Sequence, residues 1–227
     1  MIYVKFNTYT GEENMQIDSD LLDKAISKRL QEPIFRLYAW SPKCVSLGRN
    51  QAVNEQNFTD IDVVRRITGG RALLHDDEIT YSYISPVSII PNGETVKESY
   101  KYISGILINF FKTLGVELDF GSSNKINSQH NYCMLISTGA DVCYKGKKII
   151  GSAQYRKNGY ILQHGSILFS YDNYLLEKLF GEKVSNESIT TVKEILPNMT
   201  KDKFVSDLER YLKTKYAELT QNILFTT

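Results

Sequence analysis

The sequence predicts an α+β domain: a mixed, mostly antiparallel sheet flanked by helices. Three observations lead there. Short β-branched and aromatic runs are joined by turns at Lys145-Gly146-Lys147 and Lys157-Asn158-Gly159, and tight turns of this kind link antiparallel strands. Long stretches at 14–30, 96–114 and 202–219 carry apolar residues at helical spacing, so each needs a surface on which to bury one stripe. Neither GxGxxG nor GxxxxGK[ST] occurs, which removes the dinucleotide and P-loop readings.

The elements follow in order. Ile2 to Phe6 reads as a short strand. Ile17, Leu21, Leu22, Ala25, Ile26 and Leu30 mark the buried stripe of a helix from Asn14 to Leu30, ended by Pro33. Two strands, 35–40 and 44–48, flank the turn Ser41-Pro42-Lys43. The polar stretch 54–60 is a short helix or a loop. A β-branched strand at 62–67 breaks at Thr68-Gly69-Gly70, resumes through Ala72-Leu73-Leu74, turns at Asp76-Asp77-Glu78 and ends as a strand at 79–84. Pro86, Pro91 and Asn92-Gly93 make a loop. Tyr100, Ile103, Ile106, Leu107, Phe110, Phe111 and Leu114 mark the buried face of a helix at 96–114, closed by Gly115. After a brief strand at 116–120, GSSNKINSQHNY reads as a long polar surface loop. A hairpin covers 139–155. Alternation along its second strand puts Lys148, Ile150, Ser152 and Gln154 on one face and Ile149, Gly151, Ala153 and Tyr155 on the other. Tyr160–Gln163 and 167–169 continue the sheet, interrupted at His164-Gly165. From Tyr174 the pattern turns helical. The helices are expected on one side of the strands, and one domain over residues 1–227 is the simplest account, with no accessory C-terminal domain.

Composition narrows the class. With 227 residues, 42% hydrophobic and 23% charged, the chain can bury a sizeable core unaided. A net charge of +1 argues against a broad nucleic-acid-binding face. Cys44, Cys133 and Cys143 are an odd number without a CxxC pair, so a reducing, cytoplasmic setting is expected. No signal peptide and no membrane span are read.

Two adjacent glycines after a strand let backbone N–H groups converge on a ligand, and Arg65, Arg66 and Arg71 make the place attractive to a carbonyl oxygen or a phosphate. An ordinary glycine hairpin loop remains open as the alternative. Cys44 and Cys143 sit in apolar strand patterns and read as core residues. Cys133 ends the polar loop, and on spacing alone packing and nucleophilic roles are both open. A thiol needs a nearby cation or base to become a good nucleophile. Lys148, beside the small residues Gly151, Ser152 and Ala153, is a candidate cation, its alternative being a solvated lysine. His75, His130 and His164 are scattered, with no HxxxH or His/Cys cluster, so no metal site is expected. His75 and His164 read as turn-stabilising hydrogen-bond residues.

RRITGGRALLHDDEITYS resembles the RRxTGG(G/R)xxxHD…TYS signature of the lipoate- and biotin-protein ligase superfamily. NMQIDSDLLD followed by FRLYAWSPKCVSLGRNQ resembles the N-terminal helix and strand pair of the same family. GKKIIGSAQYRKNGYILQHGSILF resembles its lysine-strand hairpin. Together these cover most of residues 14 to 170. The resemblance implies a fold like that of class II aminoacyl-tRNA synthetases and biotin synthetases. Within the superfamily, Arg71 in place of a third glycine and GSAQ after the lysine resemble the cysteine-dependent octanoyltransferase branch. So does Cys133, fifteen residues ahead of Lys148. The Met-Leu-Ile-Ser-Thr-Gly that follows Cys133 departs from that branch, lacking its acidic and proline residues.

The resemblance implies two catalytic residues, Cys133 and Lys148. It implies substrate contacts from Arg66, Thr68, Gly69, Gly70, Arg71, His75, Tyr81 and Ser82 in the first motif. From the lysine-strand motif it implies contacts by Gly151, Ser152, Ala153, His164 and Gly165. The implied reaction moves an octanoyl group from acyl carrier protein through a Cys133 thioester to a lipoyl-domain lysine, for example of the glycine cleavage H protein. No cofactor is then required. The alternatives are a ligase catalytic domain needing ATP and Mg, an amidotransferase between lipoyl domains, and a non-catalytic binder of acyl-lysine or a biotin-like ligand.

Overall fold

A seven-stranded sheet organises the chain in a computed structural model that describes residues 1–52, 58, 60–121, 139, 141–181 and 188–215. The described elements are β1 (Ile2–Tyr9), α1 (Gly11–Ser27), β2 (Ile34–Trp40), β3 (Cys44–Leu47), β4 (Asp62–Arg65), β5 (Leu73–His75), β6 (Glu78–Pro86), α2 (Val96–Thr113), β7 (Asp119–Phe120), β8 (Val142–Tyr144), β9 (Lys147–Lys157), β10 (Tyr160–Leu168), α3 (Asn173–Phe180), α4 (Val192–Ile195) and α5 (Lys201–Lys215). The large sheet runs β1-β2-β6-β10-β9-β8-β7, and only β1 and β2 pair in parallel. A second sheet, β4-β3-β5, pairs β3 with β4 in parallel and β3 with β5 antiparallel. The mixed, mostly antiparallel α+β class expected from the sequence is the class observed.

Local chemistry explains the connections. β1 and β2 are parallel because α1 carries the chain back across the sheet between them. The β8–β9 and β9–β10 hairpins turn on Lys145-Gly146 and Asn158-Gly159, and all four residues have positive φ (48° and 82°, 50° and 78°). Two consecutive positive φ values match the right-handed twist of the strands they join. α1 starts earlier than its apolar stripe suggests. Thr10 caps it: the Thr10 hydroxyl accepts from the Glu13 backbone N–H at 3.3 Å, and the Glu13 carboxylate accepts from the Thr10 N–H at 2.9 Å. The helix also stops at Ser27, short of Leu30, where Arg29 (φ 50°) reverses the chain.

Helices cover both faces of the large sheet rather than one. Leu21, Leu22 and Ala25 of α1 pack with Ile34, Ile84 and Leu162. Ile103, Leu107, Phe110 and Phe111 of α2 pack, with Phe204 and Leu208 of α5, on the opposite face with Phe35, Tyr83 and Ile161. Each of these sheet residues adjoins in sequence one from the other set, and neighbours in a strand point to opposite sides. Each fully buried side chain of this size contributes about 1.5–3 kcal/mol. The smaller sheet packs on α3, with Val45, Leu47 and Leu74 meeting Leu168 and Leu176. No helix among the described residues is long and apolar enough to cross a membrane.

Two expectations need correction. His164-Gly165 does not interrupt the sheet, because β10 pairs without a break with Ser82 and Tyr81 on one side and with Ala153 and Ser152 on the other. Gly165 is there for closeness: a Cβ would stand 2.5 Å from Ser152 Oγ and 2.6 Å from the Gly151 carbonyl. The strand expected at 116–120 shrinks to the two residues of β7. Residues 216–219 of the last helix, most of 54–60 and the polar loop from 122 onward lie outside the described residues.

Thr10→Ala removes the side-chain half of the α1 capping box. Urea denaturation is expected to show a loss of about 1 kcal/mol with an unchanged denaturant slope.

Candidate active site

The α1-facing side of the large sheet turns from apolar to polar along its length. Ile34, Ile84 and Leu162 give way to Arg36, Ser82 and His164, and further on to Tyr38, Thr80 and Ser166. Over this polar end lie β3, β5 and the loop 66–71, leaving a cavity between them and the large sheet. Despite the polar residues around it, the surface of the cavity is predominantly apolar. The polar atoms are occupied with one another.

One network runs from α1 to the glycine loop. The Arg36 guanidinium donates to Asp18 Oδ1 at 2.7 Å and to Asn14 Oδ1 at 2.6 Å, and stacks 3.8 Å over the Tyr38 ring. Ser82 donates to Asp18 Oδ1 (2.9 Å) and Tyr38 to Asp18 Oδ2 (2.9 Å). His164 Nδ1 lies 3.1 Å from Asp18 Oδ2 and its Nε2 lies 2.7 Å from Thr68 Oγ1. A carboxylate only accepts, so Nδ1 carries the hydrogen and Nε2 accepts from the Thr68 hydroxyl. The second network has the same order. His75 Nδ1 lies 2.6 Å from Glu78 Oε1 and its Nε2 lies 2.7 Å from Ser46 Oγ, to which Arg66 donates at 3.0 Å. Thr80 and Ser166 also donate to Glu78 Oε1, both at 2.6 Å, whereas the buried Glu78 Oε2 has no hydrogen-bond partner among the described residues. Trp40 donates to Thr80 at 2.8 Å and stacks 3.7 Å from the His75 ring.

Burial on its own would push the Asp18 and Glu78 carboxyls up. Arg36 and His164 around the first, and His75, Ser166 and Thr80 around the second, outweigh it and hold both below their ordinary values. Burial pushes the His164 imidazole below its ordinary 6.5, against the pull of Asp18. At neutral pH the His164–Asp18 contact is therefore a hydrogen bond from a neutral ring, not an ion pair.

The loop between β4 and β5 is pinned by the buried Arg66, whose guanidinium donates to the carbonyls of Ser46, Gly69 and Arg71 at 2.7–3.2 Å. Gly70 takes a φ of 95°, and its carbonyl packs so closely on Gly48 that a Cβ there would lie 1.9 Å away. Of the residues singled out from the sequence, Arg66, Gly70 and His75 line the cavity from above. Gly151, Ser152, Ala153, His164 and Gly165 line it from the large sheet. Thr68, Gly69, Arg71 and Ser82 adjoin these residues without lining it. Tyr81 faces the other way, its hydroxyl 2.8 Å from Ser152 Oγ and accepting from Gln163 at 2.8 Å. Lys148 is not part of the wall. It is 1% exposed, with Nζ 3.0 Å from Asp141 Oδ1, and its backbone is held by Ser188 and Thr190. Cys133 lies outside the described residues, as does His130. His75 ends β5 and bonds across the bend at Asp76-Asp77 to Glu78, as a turn-stabilising residue would, whereas His164 is not a turn residue and lies in the middle of β10.

Sequence reasoning missed Asp18, Arg36, Ser46 and Glu78. One signal was there to use: Asn14 and Asp18 stand four residues apart on the helix, in line with Leu21, Leu22 and Ala25. Polar residues on a buried stripe need partners, and an arginine in the next strand supplies one.

The fold is shared with solved lipoate-protein ligases. Protein Ta0514 from T. acidophilum, solved with bound lipoic acid, superimposes with a TM-score of 0.72 at 20% identity, covering 99% of this chain and 89% of that one. Lipoate-protein ligase A bound with ATP superimposes with a TM-score of 0.71, also at 20% identity, over 100% of this chain and 88% of that one. The lipoyl protein ligase A/B catalytic domain model matches residues 10–213, and the chain belongs to that family. Among its relatives, octanoyltransferase LipM of Carboxydothermus hydrogenoformans is 36% identical over 78% of this chain and 67% of its own length. Octanoyltransferase LipM of Clostridioides difficile is 38% identical over 76% of this chain and 66% of its own length. The chain thus spans about two thirds of these relatives.

His164 binds a proton more readily in the unfolded chain than in the folded one, so its contribution to stability is complete above pH 6.5 and falls as pH drops toward its lowered folded value. Asp18, lowered from 3.8, adds its own loss only in stronger acid. The unfolding free energy of the wild type is expected to decline between pH 7 and 5, and His164→Gln to flatten that slope. An unchanged slope in the variant would contradict the assignment.

Proposed function

We propose that this chain is a protein octanoyltransferase of lipoate biosynthesis, an acyltransferase that carries its acyl group on a cysteine. The observation that carries the reading is the cavity itself: a slot with apolar walls, its polar groups turned into their own networks, next to the lysine strand β9. At about 0.8 kcal/mol per buried CH₂, an octanoyl tail gains roughly 5 kcal/mol in such a slot without any polar handle. The relatives named octanoyltransferase support the same conclusion.

The reaction has two halves. Cys133 thiolate attacks the thioester carbonyl of octanoyl-acyl carrier protein, the carrier thiol leaves, and an octanoyl-enzyme thioester remains. The amine of a lipoyl-domain lysine, such as that of the glycine cleavage H protein, then attacks this thioester, leaving an octanoyl amide and returning the thiol. Lys148, held in place by Asp141, favours the Cys133 thiolate and steadies the developing oxyanion. Backbone donors near Gly69-Gly70 and Gly151-Ser152 assist in holding that oxygen. A thioester already lies uphill of an amide, so the transfer runs without ATP. The roles of Cys133 and Lys148 rest on the motif resemblance.

Intact-mass spectrometry after mixing the protein with octanoyl-acyl carrier protein is expected to show one added octanoyl group, lost in Cys133→Ser. Lys148→Ala is expected to slow acylation about 10²-fold and to weaken carrier binding far less. Adenylate formation from ATP and lipoate, with no acyl gain from the carrier, would replace this reading with a ligase.

A further inference from the structure

We infer that Met15 closes the tail end of the slot and sets the longest acyl chain it accepts, an assignment that rests on the octanoyltransferase reading for the nature of the ligand. The slot has a direction. It crosses the large sheet from β9, through β10 and β6, to β2. Three strand spacings of about 4.8 Å make roughly 14 Å, a length suited to an extended octanoyl chain with its thioester. Lys148 lies on β9, three residues before Gly151 of the slot floor, so the carbonyl belongs at that side. The far end is formed by Tyr38 and Trp40 of β2 and by Met15 of α1.

These three end residues differ in how they are held. Tyr38 is fully buried, bonded to Asp18 and covered by Arg36. Trp40 is bonded to Thr80 and stacked on His75. Both are fixed. Met15 is only partly buried, packs against Tyr38, Trp40 and Cys44 through an unbranched thioether, and has no polar atom to anchor it.

Behind Met15 there is open space. A second, more open cleft runs between α1 and β4, where Val63, Val64 and Ile67 face Glu12, Gln16, Ser19 and Arg65, and Met15 also lines it. Among the described residues, Met15 is the one that borders both hollows. A single flexible side chain thus separates the end of the acyl slot from an outer cleft that offers apolar surface at Val63, Val64 and Ile67. Truncating it joins the two, and an acyl tail too long for the slot then has a path onto Val63 and Val64.

The experiment uses the full chain and measures preference for chain length in two independent ways. Trp40 is the only tryptophan of the protein and lines the slot, so its fluorescence reports binding of free fatty acids of six to fourteen carbons whether or not acyl transfer occurs. Intact-mass spectrometry with acyl N-acetylcysteamine thioesters of the same lengths reports acylation. Met15→Ala is expected to raise the twelve-carbon to eight-carbon ratio at least about tenfold in both readouts. Met15→Trp is expected to shift preference the other way, lowering eight-carbon relative to six-carbon binding about tenfold. Ratios unchanged in both variants overturn the assignment. Binding with the expected shifts but no acylation overturns the transferase reading and leaves Met15 as the end of the slot. A wild type that binds no fatty acid overturns both.

Discussion

The structure depends on one buried ion pair, Arg36 to Asp18, 2.7 Å apart with both side chains at most 2% exposed. Either charge left alone in the interior would cost several kcal/mol, so the two residues and their partners must stay together. Asp18 fixes α1 against β2 through Arg36 and Tyr38, against β6 through Ser82 and against β10 through His164. His164 extends the chain of bonds to Thr68, at the start of the glycine loop. Four elements distant in sequence are thus placed by one carboxylate. An apolar contact of the same area would hold them together but would not dictate their orientation, because hydrophobic burial is non-directional.

The second network does the same work for the smaller sheet. Glu78, His75, Ser46 and Arg66 join β6, β5, β3 and the loop 66–71 in series. Between the two networks the slot stays apolar, since both ring nitrogens and most of the carboxylate and hydroxyl oxygens point into their own chains of bonds. This arrangement reconciles a site rich in titratable residues with the fatty acyl ligand proposed for it. In that proposal the acyl chain lies along Trp40, His75 and the small residues of β9, and its length is decided by where the slot ends and not by recognition of a polar group.

Lys148, the cation of the proposed reaction, lies in the interior. It is 1% exposed, and its ammonium meets Asp141 at 3.0 Å. Backbone bonds to Ser188 and Thr190 hold its strand. A buried ion pair of this kind fixes the position of the ammonium, since separating the two charges in the interior would cost several kcal/mol.

Local elements were legible in the sequence because their causes are local. The stripe of α2, the turns at Lys145-Gly146 and Asn158-Gly159, and the β-branched runs follow from neighbouring residues alone, as did the motifs that point to the family. Thr10 with Glu13 was legible in the same way and was overlooked. His164-Gly165 reads as a break when taken locally, yet Gly165 is demanded by the closeness of Ser152 and Tyr81 from two other strands. The expectation that the helices share one side of the sheet fails, because an apolar stripe shows which face of a helix is buried and not which side of the sheet buries it. The partnership of Asp18 with Arg36 and His164 spans 146 positions, and only the packed sheet and helix bring the Arg36 charge close enough to offset the cost of burying Asp18 and the His164 ring close enough to donate to it.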